Sequence, residues 1–268
     1  GQVMSGVPLA EYFNKGFLNL QPKPYNDDAL LKLTRSSHTF FLAPTDDQEI
    51  FNIFLGLKNS KSTDVDEIQL KPVKFVMDII VPCLTHIYNL SLSSGKFPTN
   101  MKLAKVSVIH KGGDSNLVTN YRPISVLPVF SKALEKIIIM RLIDFFLKQS
   151  LLTEFQFGFR KGKSTETALL LQKEIILQGI EKRLLTLGVF IDFSKAFDVL
   201  NHKTLLAKLD YYGVRGVPHK LIESYLKDRR QSVVINSHAS SFQEVPCGVP
   251  QGSILGPFLF NVYINDIV

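Results

Sequence analysis

The apolar run at 184–191 ends on an aspartate, Asp192, and an amphipathic helical pattern follows almost at once. Its β-branched and large apolar residues predict a buried central strand. A carboxylate at the end of such a strand costs free energy unless a cation or hydrogen bonds compensate it. A strand that delivers one is also how many enzymes hold a metal over a phosphate. Asp192 is therefore a candidate metal ligand. The pattern fits equally an aspartate that caps the next helix, and the run alone leaves both readings open.

With 268 residues, 45% hydrophobic and 21% charged, the chain reads as one large or two modest globular domains. No apolar run approaches the roughly 20 residues of a membrane span. The first residues lack a signal-peptide pattern and an initiator Met. Two cysteines, Cys83 and Cys247, form neither a disulfide framework nor a zinc spacing, which predicts a reducing, intracellular setting. Cys83 falls on an apolar helical face and reads as a small core residue. Residues 1–67 hold 6 Lys/Arg against 9 Asp/Glu, while the remainder holds 25 against 15. That basic excess suggests a polyanionic partner; a merely soluble basic surface explains it as well.

Residues 1–57 read as a poorly specified leader, broken by Pro22, Pro24, Asp27 and Asp28, with one short helix at 46–57. Helical spacing of Phe75, Val76, Ile79, Ile80, Cys83, Leu84, Ile87 and Tyr88 predicts a helix that Gly95 closes. A strand at 105–110, a turn at 111–114 and an extended stretch at 121–127 follow. Helices are expected at about 131–149, with Ser131 as N-cap, and at 164–182. Further helices are expected at 202–212 and 218–229, then a hairpin over 231–236 and 241–245, then an apolar helix to about 267. Helices and strands mix without regular alternation, which argues for an α+β fold. The histidines, His110 and His202 among them, lack metal-ligand spacing and read as surface or helix-cap residues.

Four segments occur in order: Tyr121-Arg-Pro-Ile-Ser-Val-Leu127, Gln156-Phe-Gly-Phe-Arg-Lys-Gly-Lys-Ser-Thr165, Ile191-Asp-Phe-Ser-Lys-Ala-Phe-Asp198 and Gly248-Val-Pro-Gln-Gly-Ser-Ile-Leu-Gly-Pro257. Together they resemble the reverse transcriptase domain of non-LTR (LINE-type) retrotransposons, over about residues 58–268. The resemblance implies a right-hand polymerase, with fingers at 58–183 and a partial palm at 184–268. It implies an RNA template, a DNA primer and dNTP as partners, no membrane, and a nuclear step. The chemistry implied is attack of a primer 3′-hydroxyl on the dNTP α-phosphate between two Mg²⁺ ions, which prefer hard oxygen ligands.

By the same resemblance Asp192 is the first catalytic aspartate, and the Phe193 carbonyl is a second metal ligand. Phe197 stands where the family places a ring beneath the nucleotide sugar, though a core aromatic is the alternative. Gln251 and Gly252 match the loop against the nucleotide base and template, and Lys111 and Arg122 match positions that hold the triphosphate. Arg160, Lys161 and Lys163 form a basic turn suited to template phosphates, or to solvent. Asp198 is expected to cap the following helix or to pair with a basic neighbour, not to bind metal.

Departures from the family pattern bear on these expectations. Lys61-Ser-Thr-Asp64-Val-Asp66-Glu67-Ile68 has acidic residues where relatives have two glycines, so loss of a tight turn is in question. Met101 stands for a usual tryptophan. The second metal-binding hairpin and the thumb lie beyond the motifs present, and Asp266 is no substitute for that hairpin. The expectation is a polymerase fragment, inactive as it stands. The alternative is a non-catalytic nucleic-acid-binding remnant.

Overall fold

The computed structural model describes residues 5–20 and 35–267. The proline and aspartate breaks expected at 22–28 lie outside them. A mixed sheet and a set of packed helices make up the α+β fold. α1 (Gly6–Leu18) comes first, then α2 (Asp47–Gly56), the short α3 (Leu70–Phe75) and α4 (Met77–Ser94). β1 (Leu103–His110), β2 (Tyr121–Val126), α5 (Val129–Lys148) and α6 (Thr165–Glu181) follow. α7 (His202–Tyr211), α8 (Val217–Leu226), β3 (Arg230–Ile235), β4 (His238–Ala239), β5 (Gln243–Glu244) and α9 (Gly256–Ile264) complete the order.

β1 is the middle of the sheet. It pairs antiparallel with β2, from Lys105↔Val126 to His110↔Tyr121, and parallel with β3. β4 and β5 both extend β3 antiparallel. Asn236 and Ser237 have φ of 47° and 66°, the geometry that a tight hairpin demands, and they join β3 to β4. The sheet therefore draws its strands from both sides of residue 183.

α1 corrects the expectation of a featureless leader. Ala10, Phe13, Asn14 and Phe17 recur at helical spacing and are buried. Phe13 and Phe17 pack on Val106 and Val233, which face each other across β1 and β3. Buried Asn14 exchanges hydrogen bonds with Gln231 (3.0 Å) and Ser240 (3.0 Å), so the contact includes a satisfied polar pair. The larger core lies among α2, α4, α5, α7, α8 and α9, around Tyr88, Leu134, Ile138, Phe146, Leu209, Tyr225 and Leu259.

Several local expectations need correction. In α4 the buried face is Met77, Val81, Leu84, Tyr88 and Leu92, so Ile79 and Cys83 point to solvent, as does Phe75 at the end of the separate α3. Cys83 is not a core residue. The N-cap of α5 is Pro128, while Ser131 is buried inside the first turn and donates to Glu135 (3.2 Å). The acidic turn at 64–67 is retained despite the lost glycines. Glu67 adopts φ 58°, and buried Asp64 accepts the N–H groups of Asp66 and Ile68 (both 3.0 Å) and, from α5, of Val129 (3.0 Å).

The central strand expected at 184–191 does not form. These residues have no ladder partner among the described residues, and Leu187 and Phe190 are 90% and 84% exposed. β1 is already paired on both edges, and so is β3. Apolar content reports what a segment would bury; the partner that buries it is a non-local matter.

Candidate functional site

A cleft of about 480 Å³ opens where the sheet meets the loop after Asp192. Its walls include Lys111 at the end of β1, Arg122 of β2, and Asp192, Phe193, Lys195 and Asp198 from the 192–198 turn. Gln251 and, from α1, Gly16 and Phe17 close it. Four segments thus bring three cations, two carboxylates and an amide to one opening. Such a set suits an anionic ligand: Arg122 offers a planar fork and Lys111 a point charge. Lys111 is held at its base, since its N–H donates to Asn120 (2.8 Å) and its Nζ lies 3.3 Å from the Thr119 carbonyl.

The loop at 247–255 carries Gln251 to the cleft. Gly248 and Val249 donate backbone N–H groups to the carbonyls of Leu200 and Phe197 (both 2.8 Å). The Gln251 carbonyl accepts from Ser125 of β2 (2.7 Å). A Cβ on Gly252 would lie 2.5 Å from the Ser125 carbonyl, and φ there is 121°. Close approach to β2, rather than to a ligand, is thus what requires this glycine. Farther on, fully buried Glu135 accepts the N–H groups of Ile254 (2.8 Å) and Leu255 (3.1 Å) ahead of α9. Burial pushes its pKa up, and the charge of Arg229 opposes that shift.

Asp198 does not cap α7; Asn201 does, accepting from Thr204 (3.1 Å). Asp198 instead accepts from the Gln251 side-chain amide (2.7 Å). Burial raises its pKa, against that hydrogen bond and against Lys195 and Lys111. His202 corrects its reading as a surface or cap residue: it is half-buried as the first residue of α7, and its Nε2 lies 2.7 Å from the Gly248 carbonyl. A carbonyl only accepts, so the ring donates there. Burial lowers its pKa.

Other expected site residues lie apart from the cleft walls. The Phe197 ring packs between Phe159 (5.7 Å between centroids) and Phe260 (4.8 Å). Arg160 donates to the Thr153 and Gln156 carbonyls within its own turn. Lys163 donates to the Glu154 carbonyl (3.0 Å) and lies over the Phe157 ring, while Lys161 is exposed. That turn is tied to α9 by buried Asn261, which accepts from Gln156 (3.1 Å) and donates to Gly158 (2.9 Å). Asp266 is committed to an ion pair with buried Lys208 of α7. Asn261, Glu135 and α1 escaped sequence reading; only α1 had a usable signal, in its helical spacing.

The family described as reverse transcriptase (RNA-dependent DNA polymerase) matches residues 109–268, more than half the chain, and the chain belongs to that family. Its similarities place it among the non-LTR retrotransposon members. It is 35% identical over 227 residues to a protein named "Probable RNA-directed DNA polymerase from transposon BS" from Drosophila melanogaster, covering 82% of this chain and 24% of that relative. To the RNA-directed DNA polymerase from the mobile element jockey of the same fly it is 32% identical, with the same two coverages. The protein named "Probable RNA-directed DNA polymerase from transposon X-element", also from that fly, is 32% identical across 84% of this chain and 25% of its own length. The chain thus spans about a quarter of the relatives it matches. Among the described residues no helix is long and apolar enough to cross a membrane.

A divalent cation is implied by the family. The donor type fits, because Asp192 supplies a hard carboxylate oxygen to the cleft, while Asp198 is committed to Gln251. The donor number does not, since no three His, Cys, Asp or Glu side chains converge among the described residues.

Proposed function

We propose that the cleft is the dNTP-binding side of an RNA-directed DNA polymerase. What supports this is one juxtaposition: Lys111, Arg122, Asp192, Phe193 and Gln251, from four separate segments, line the same opening. Lys111 and Arg122 hold the triphosphate, and Gln251 with Gly252 bounds the base and template side. Phe197, whose ring packs between Phe159 and Phe260 rather than on the cleft walls, would turn toward the cleft to stand beneath the sugar, and the turn of Arg160, Lys161 and Lys163 meets template phosphates. Asp192 supplies one carboxylate, and Phe193 a carbonyl, toward Mg²⁺; further donors must come from outside the described residues. The fingers run over 58–183 and the palm begins at 184. The whole protein copies RNA into DNA from a primer, with a step in the nucleus.

A second reading, nucleic-acid binding without synthesis, is favoured by the unpaired segment at 184–191, which leaves Asp192 on a stretch with no ladder to fix it. Two assays on the 268-residue chain separate the readings. Equilibrium binding of dNTP in the presence of an RNA–DNA template–primer is expected, and Arg122→Ala should weaken it about tenfold. Primer extension with Mg²⁺ that vanishes with Asp192→Ala establishes synthesis. Salt-dependent RNA binding with neither dNTP affinity nor extension selects the second reading.

A further inference from the structure

We propose that Asp198 is a positioning residue that fixes the side chain of Gln251 at the cleft. This deepens the dNTP-site reading and rests on it for its consequence, though not for its geometry. Gln251 is pinned at two points. Its main-chain carbonyl accepts from Ser125 of β2, and its side-chain Nε2 donates to Asp198 Oδ1 at 2.7 Å.

The segments carrying the two residues already abut through backbone. Val249 donates to Phe197, Gly248 donates to Leu200, and a Cβ on Gly248 would sit 2.5 Å from the Asp198 carbonyl. Cys247 Sγ lies 3.2 Å from that same carbonyl. The side-chain bond is therefore made between two rigidly apposed strands of backbone, so little further ordering is needed to form it.

An ionised carboxylate is acceptor-only, so it fixes which end of the amide it meets. With the amine side committed to Asp198, the carbonyl Oε1 is the acceptor that Gln251 retains. Lys111 and Arg122 supply only donors to the cleft. Gln251 is thus the residue placed to accept from a hydroxyl or N–H on the ligand's sugar or base. Rotating the amide would present a donor instead and would repel any approaching donor group. Asp198 prevents that rotation from within the polypeptide, without touching the ligand itself.

The experiment reverses the pair. In the 268-residue chain, dNTP affinity with template–primer is measured for wild type, Asp198→Ala, Asp198→Asn, Gln251→Ala, Gln251→Glu and the double variant Asp198→Asn with Gln251→Glu. In parallel, the side-chain amide of residue 251 or 198 is followed by ¹⁵N NMR, and thermal unfolding checks the fold. Asp198→Ala and Gln251→Ala should each weaken dNTP binding about tenfold, with no further loss when combined. Asp198→Asn keeps an acceptor and should stay close to wild type. Gln251→Glu, which faces two carboxylates together, should be as weak as Gln251→Ala. The reversed pair restores a donor–acceptor contact and should recover most of the affinity.

Wild-type affinity in Asp198→Ala, or additive losses in the combined alanine variant, overturns the proposal. If the wild-type chain binds no dNTP, the dNTP-site reading fails, and the NMR arm alone decides on Asp198. A Gln251 side-chain amide proton that is shifted and slow to exchange with solvent in wild type, and that loses both features in Asp198→Ala, supports the pairing. Equal shift and equal exchange in the two proteins overturns it. Should Asp198→Ala not fold, recovery of affinity in the reversed pair supports the pairing, and no recovery relative to Gln251→Glu overturns it.

Discussion

Glu135, fully buried in α5, holds Leu255 at the entrance of α9 by accepting its backbone N–H at 3.1 Å. The same oxygen accepts from Ile254, and the other carboxylate oxygen accepts from Ser131. One side chain thus connects α5 to the loop that carries Gln251 to the cleft. The nearby Arg229 is 2% exposed and compensates part of the burial cost.

Removing that carboxylate strands two N–H groups, at about 1–3 kcal/mol each where no water replaces it. Glu135→Ala should therefore destabilise the chain by about 3 kcal/mol in urea unfolding. Glu135→Gln retains an acceptor for Ile254 and Leu255 and should cost less than half as much. Equal losses for the two variants would show that charge, not hydrogen bonding, is what α9 requires.

The Arg141–Glu49 pair sets a pH dependence. Arg141 donates to both oxygens of Glu49 (2.9 and 2.8 Å) and also to the Ala43 and Pro44 carbonyls. The Arg141 hydrogen bonds lower the Glu49 pKa, assisted by Thr45, against a smaller effect of burial. A depressed folded pKa means that the unfolded state takes up the proton first as pH falls. The contribution is therefore complete above the ordinary carboxylate range and disappears as pH drops through the lower folded value. Urea midpoints for wild type and Glu49→Gln should differ at neutral pH and converge as the pH falls below the ordinary carboxylate range. A difference that is constant with pH would mean Glu49 acts by packing.

Gly252 makes a sharper demand. Its φ of 121° and the Ser125 carbonyl, 2.5 Å from where a Cβ would stand, exclude any side chain without backbone movement. Gly252→Ala should lower stability by about 2 kcal/mol or more and release the Ser125–Gln251 bond. The check is faster amide exchange at Ser125, with dNTP affinity falling alongside. Unchanged exchange would show that the loop accommodates a methyl group.

How much of this could be read from the chain depends on the range of the interaction. Short-range signals were sufficient for α2, whose Asp46 cap accepts from Glu49, and for α6, whose Ser164 and Thr167 form a reciprocal capping box. The Gly95 stop of α4 followed from turn chemistry alone; the hairpin expected over 231–236 and 241–245 matches the pairing of β3 with β5, but the intervening β4 and its tight turn at Asn236 and Ser237 lie outside that expectation. The face of α4 did not, because apolar residues surround much of that helix and only its neighbours choose among them. At the cleft, residue types and order pointed to Lys111, Arg122, Asp192 and Gln251. The links beneath them, through Glu135, His202 and Asn261, join residues 46 to 120 positions apart and have no local signature. The parallel pairing of β1 with β3 is of the same kind.

The segment at 184–191 separates the two levels most clearly, and its side chains make the last test. A buried central strand would lose about 3–5 kcal/mol when a core aromatic is truncated. With Leu187 and Phe190 exposed, little packing exists to be lost. Leu187→Lys and Phe190→Lys should each change the unfolding free energy of the 268-residue chain by no more than about 0.5 kcal/mol. Both should also raise its solubility, because the exposed apolar run is shortened. Losses of several kcal/mol in either variant would place the segment in the core, and Asp192 on a paired strand.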